Sequence, residues 1–192
     1  MTLLLLGLAL FLGCHSAQIF ASGPRAAFIA QRGPGPWKGL YAVASLIGFG
    51  LIIKGYGDAR GAAALWPKPA GAQHVTALLV LAGFILQVAA YWPRNAIKAA
   101  VRDPMVLGVG FWALGHLLVK SSPPALALFG GFLVWAALDF ASLRRRTGGV
   151  ASTAAPGSSL VATAGTIVVG VLLFVAFAVW GHPLLIGVRP FG

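Results

Sequence analysis

The sequence predicts an all-α fold, a polytopic transmembrane helical bundle of about six spans. Three observations lead to it. Hydrophobic residues make up 59 % of the 192-residue chain and charged residues only 9 %, against roughly a quarter charged in a soluble domain. The apolar residues gather into six runs, each near the roughly 20 residues that cross a hydrocarbon core, with turn-rich segments between them. In lipid every backbone group needs a partner within its own segment, so these runs are read as helices and not as strands.

The first run, residues 2–21, resembles a signal peptide, and Phe11-Leu12-Gly13-Cys14 faintly resembles a lipoprotein cleavage site. No Lys or Arg precedes it and Phe11 suits that cleavage pattern poorly, so the segment reads as a permanent span. Arg32-Gly33-Pro34-Gly35-Pro36 leads into the second run, 37–56, and Trp66-Pro67-Lys68-Pro69 separates it from the third, 75–92. The fourth run, 105–119, is short between Pro104 and Lys120. It reaches spanning length only if Lys120 snorkels and the helix continues towards Pro123. The fifth run covers 123–143 and the sixth 160–181. Residues 147–159 are rich in Gly, Ala, Ser and Thr and read as a flexible linker. They divide a five-helix membrane domain, 1–146, from a sixth helix with a short tail, 160–192.

Fourteen Lys and Arg against three acids give a net charge of +11. In a soluble protein this balance points to nucleic acid. Here the cations sit between apolar runs, so the partner is the lipid bilayer, with no nucleic acid expected. Nine of the cations fall in the first, third and fifth connections and five on the other side. The positive-inside rule then places both termini outside. Cys14 is the single cysteine, which excludes an internal disulfide. No nucleotide loop, hydrolase triad, Cys-x-x-Cys pair or His-Glu-x-x-His is present, and three acids leave little scope for carboxylate catalysis.

Ionisable residues inside a span are costly and so draw attention first. His15 lies inside the first span and His116 inside the fourth, whereas His74 and His182 stand at span ends. The first and fourth spans run in opposite directions, with a nominal depth offset of about 9 Å between the two inner histidines. That offset permits both imidazoles to serve one metal or a tilted haem without requiring it. Gly108, Trp112 and His116 share one helix face, with Gly115 adjacent. Small residues beside an imidazole leave room for a flat group; equally, the glycines let helices approach while His116 hydrogen-bonds across the contact. For His15 the alternative is a hydrogen bond to a neighbouring helix, and for His74 and His182 a place at the outer interface. A trio of His74, His116 and His182 is a rival ligand set. Gln87 reads as interhelical glue, and Ala162, Thr166 and Gly170 as a packing seam. Trp37, Tyr41, Tyr56, Trp92 and Trp180 fit an interfacial aromatic belt.

The stretches Gly13-Cys14-His15-Ser16, Gly35-Pro36-Trp37-Lys38-Gly39, Gly55-Tyr56-Gly57-Asp58, Asp103-Pro104-Met105 and Trp112-Ala113-Leu114-Gly115-His116 resemble the NnrU family, and the likeness runs through residues 129–146 and, more loosely, 181–190. The resemblance implies a multi-pass protein of the bacterial inner membrane, with periplasmic termini on the charge count above, associated with nitric oxide metabolism and denitrification. The family is also similar to zeta-carotene isomerase, which binds haem b through histidines and isomerises a cis double bond. Carried over on the motifs, His15 and His116 are the cofactor-binding and metal-ligating residues. Ala113 stands where the isomerase has a cysteine, and Asp103 where it has a histidine before the proline. The expectation is therefore a haem-binding membrane protein supporting nitrogen-oxide metabolism. Its rivals are a haem-dependent isomerase of a carotenoid-like polyene, whose partner is a lipophilic small molecule, and a non-catalytic membrane partner in the maturation of a denitrification enzyme.

Overall fold

The computed structural model describes residues 1–146 and 157–191. Every regular element among them is helical: α1 (Thr2–His15), α2 (Ala17–Phe20), α3 (Ser22–Arg32), α4 (Pro34–Ala59), α5 (Ala72–Tyr91), α6 (Ala96–Val101), α7 (Pro104–Val119), α8 (Pro123–Arg146) and α9 (Leu160–Ile186). The all-α class follows from the absence of water in the hydrocarbon core, which leaves the helix as the way to satisfy the backbone of a single segment. Helices α8 and α9 each contain a π-helical turn, at Leu126–Gly130 and Phe177–Gly181.

Four helices are long and apolar enough to cross a membrane: α4 with 26 residues, α5 with 20, α8 with 24 and α9 with 27. The expected count of about six is not reached on this measure, because α1 has 14 residues and α7 has 16. At 1.5 Å per residue they extend about 21 and 24 Å, short of a core of about 30 Å. The physical reasons are local. Helix α1 gives way at Ser16 (φ −85°, ψ −3°) to the short α2, and the chain leaves the helical conformation at Ala21 (φ −132°, ψ 38°). Helix α7 does not continue towards Pro123. Ser122 is held extended (φ −72°, ψ 151°), as a residue before proline prefers. Ser121 is meanwhile tied by its hydroxyl to the Trp66 carbonyl at 2.7 Å.

Contacts divide the chain into two compact units, residues 1–67 with 120–142, and 68–119 with 143–192. In the first, α1 lies along α4 through three glycines. A Cβ on Gly7 would stand 2.7 Å from the Ile52 nitrogen, one on Gly48 2.8 Å from the Phe11 nitrogen, and one on Gly55 would collide with the Leu4 backbone. This is small-residue packing of the membrane kind, in which backbones approach because no side chain intervenes. In the second unit, α5 pairs with α7 and also carries α9. Gly83 and Gly108 face each other, each Cβ position 3.0 Å from the other's carbonyl oxygen. Gly170 sits against Ile85, where an added Cβ would meet the Cα at 2.7 Å. The predicted seam on the last helix is realised there, with Thr166 fully buried and its hydroxyl donating to the Ala162 carbonyl at 2.8 Å. Most of the expected linker, at 147–156, lies outside the described residues.

Candidate functional site

His15 is the last residue of α1, half-buried among rings of its own unit. It stacks on Phe11 with centroids 4.1 Å apart, faces Tyr41 of α4 at 5.0 Å and meets Trp135 of α8 edge-on at 6.1 Å. Its Nδ1 lies 2.7 Å from the Phe11 carbonyl oxygen. A carbonyl only accepts, so the proton belongs on Nδ1, and Nε2 carries the lone pair that a metal takes. Beside it, Cys14 Sγ lies 3.1 Å from the Phe11 carbonyl and 3.3 Å from the Ser45 hydroxyl, the contacts of a thiol held in place between helices. The buried indole N–H of Trp135 has no hydrogen-bond partner among the described residues.

His116 repeats this arrangement within the second unit. Its Nδ1 lies 2.8 Å from the Trp112 carbonyl, and its ring stands 5.3 Å from the Trp112 ring, tilted by 52°. The i to i−4 spacing brings about both bonds, since it places a helical side chain over the preceding turn. The glycines near His116 leave less room than a flat group needs. Gly108 is filled by α5, and at Gly115 a Cβ would meet the Thr76 carbonyl at 3.3 Å and Leu79 at 3.4 Å. Thr76 also donates its hydroxyl to the Gly115 carbonyl at 2.8 Å. Of the two readings left open for these glycines, close helix packing is the one realised.

His74 opens α5, exposed. His182 turns its Nδ1 to the Val188 carbonyl at 2.6 Å and holds the tail of α9. Among the described residues no three His, Cys, Asp or Glu side chains gather as a metal group, so the trio of His74, His116 and His182 is not assembled. Gln87 acts as expected, donating to the Met105 carbonyl of α7 at 3.2 Å. Asp103 approaches Arg144, Oδ2 to Nε at 4.0 Å, while that guanidinium donates to the Val101 carbonyl at 2.9 Å. Asp103 thus faces a cation.

A family model described as NnrU protein matches residues 3–190, nearly the whole chain. The chain belongs to the NnrU family. No curated protein and no solved structure matches it. In this NnrU member the motif stretches around His15 and His116 are the two places where an imidazole is fixed by its own helix and flanked by an aromatic ring. The cleft next to His15 is the feature that sequence reasoning missed. It measures about 350 Å³ and brings together Arg25 of α3 with Trp37, Lys38 and Tyr41 of α4. In the sequence these residues read as topology signals and belt aromatics. The Trp37–Tyr41 spacing of four, beside cations with no acid before Asp58, was the signal available.

Proposed function

We propose that this integral membrane protein binds haem b, with His15 and His116 supplying the imidazoles, and supports nitric oxide and denitrification metabolism. The observation that carries the reading is the matching Nδ1 to carbonyl contact at both motif histidines, 2.7 Å at His15 and 2.8 Å at His116. Such a bond fixes tautomer and ring orientation and raises the basicity of Nε2, which is what an iron ligand requires. At His15 the residues fit the group in a second respect, whereas the glycines beside His116 are taken up by packing against α5. The buried Trp135 indole N–H, without a partner among the described residues, lies on a ring next to His15, and buried donors of this kind are ordinarily satisfied. Haem would supply an iron centre able to bind nitrogen oxides or pass an electron. The chain's part is to orient the imidazoles and keep water away from them.

The isomerase reading gains no such support, because the cysteine position is Ala113, fully buried, and Asp103 faces Arg144. The role of non-catalytic maturation partner remains as the outcome if haem is absent. The test is an absorption spectrum of the full chain, expressed with ample haem and purified in mild detergent. A Soret band is expected, and His15→Ala and His116→Ala are each expected to lower it. No band in the wild type sinks the haem reading; full occupancy in both variants sinks the residue assignment.

A further inference from the structure

The cleft beside α3 has Cys14 and His15 on one wall, and also cations that neither lipid packing nor an iron ligand explains. Arg25 is half-buried there, its guanidinium carbon 5.7 Å from the centre of the Trp37 ring, and Lys38 stands on the next face of α4. Two other cations meet carboxylates: Lys54 pairs with Asp58 at 2.5 Å and Arg144 approaches Asp103 at 4.0 Å. Arg25 and Lys38 form no ion pair among the described residues, although the Asp139 carboxylate acts electrostatically on neighbouring Tyr41. No acid precedes Asp58 in the sequence. A half-buried cation without a counter-ion is costly, and an anion brought from outside offsets that cost. The position suits such a visitor. Helix α3 is amphipathic, with Arg25 and Arg32 among Phe28 and Ile29, the pattern of a helix lying in the headgroup layer. Trp37 and Tyr41 offer apolar ring faces beside the cations.

We infer that this cleft binds the phosphate group of an anionic amphiphile, with Arg25 and Lys38 holding the anion and Trp37 and Tyr41 receiving the adjoining apolar part. The residues that hold the anion, Arg25 and Lys38, are not iron ligands, but His15 lines the same cleft, so haem on His15 would be its neighbour. Two sources share the chemistry, a phospholipid headgroup and free phosphate. The test uses the full chain in mild detergent, prepared both with and without added haem. It is offered equal phosphatidylglycerol and phosphatidylcholine, and retained lipid is counted by native mass spectrometry. Wild type is expected to prefer phosphatidylglycerol in both preparations. The double variant Arg25→Gln/Lys38→Gln is expected to lose that preference by about 30-fold, from about 1 kcal/mol per basic residue. A control with the same charge change, Lys68→Gln/Arg189→Gln, is expected to keep it. Displacement of the lipid by inorganic phosphate shows that the anion alone suffices; no displacement assigns the phospholipid. Equal retention of the two lipids by wild type, or an unchanged preference in the double variant, overturns the inference.

Discussion

The imidazole of His15 and the ring of Phe11 lie 4.1 Å apart and within 23° of parallel, while the Phe11 carbonyl faces Nδ1 of the same imidazole. One residue therefore holds the histidine twice, by its backbone and by its side chain. Phe11 also meets Phe49 at 6.2 Å and Phe132 at 5.7 Å. Phe11→Leu keeps the carbonyl and removes three ring contacts, each worth about 1 kcal/mol. A lower unfolding midpoint in mixed micelles is expected, with helix content unchanged before the transition. An unchanged midpoint would show that the stack contributes nothing.

Close approach of α1 and α4 gives a second prediction. Gly55→Ala drives a methyl group into the Leu4 backbone, and rigid backbone cannot yield as a flexible side chain does. Gly50→Ala, on the same helix, meets nothing within 4 Å. The first variant is expected to lose more than about 2 kcal/mol of stability, and the second to gain slightly from helix propensity. Unfolding of the two side by side in one detergent checks the contrast, and similar losses would refute the α1–α4 contact.

That contrast also explains what was legible in the sequence. Run length and polarity reveal helices because lipid leaves the backbone no alternative, and Gln87 and the Thr166–Gly170 stripe stand out because polar or small residues inside a span need a reason. Pairing is harder. Gly7, Gly48 and Gly55 sit in tight contacts while Gly13, Gly39 and Gly50 face open space, and nothing in their neighbours distinguishes the two sets. The end of α7 at Val119 is where the fourth run stops, whereas α1 ends at His15, inside the run read as 2–21. The Ser121 hydroxyl acts after α7 through its bond to the Trp66 carbonyl, which hydropathy does not see. Of the candidate site, the motifs single out both histidines, and each has its Nδ1 against a carbonyl of its own helix. The cleft was not legible, because Arg25 and Lys38 looked like two cations among the nine of the first, third and fifth connections.

Thr76 and Gly115 join α5 to α7 by a hydroxyl to carbonyl bond of 2.8 Å. The same hydroxyl lies 2.9 Å from the Ala72 carbonyl, so its proton is shared. Interhelical bonds of this kind average about 0.6 kcal/mol in membrane proteins. Thr76→Val, which preserves shape, is expected to cost about that amount. A Thr76→Ser variant keeps the hydroxyl and should recover most of it. If both variants unfold alike, the bond is not the source of the loss.

The approach of Arg144 to Asp103 separates two of the contributions that one arginine makes. At 4.0 Å, with side chains 33 % and 21 % accessible, the charge pair belongs to the weak class, worth up to about 1 kcal/mol and sensitive to salt. The hydrogen bond from the guanidinium to the Val101 carbonyl is short, at 2.9 Å, and bonds from charged donors contribute about 1.5–3 kcal/mol. Asp103→Asn removes only the pair, whereas Arg144→Gln removes both. The expected order is a small, salt-dependent loss for the first and a larger loss for the second that persists in high salt. Midpoints measured at low and high ionic strength decide it. Should Asp103→Asn cost as much as Arg144→Gln, the ion pair and not the carbonyl bond would be what anchors the end of α8 to the turn before α7.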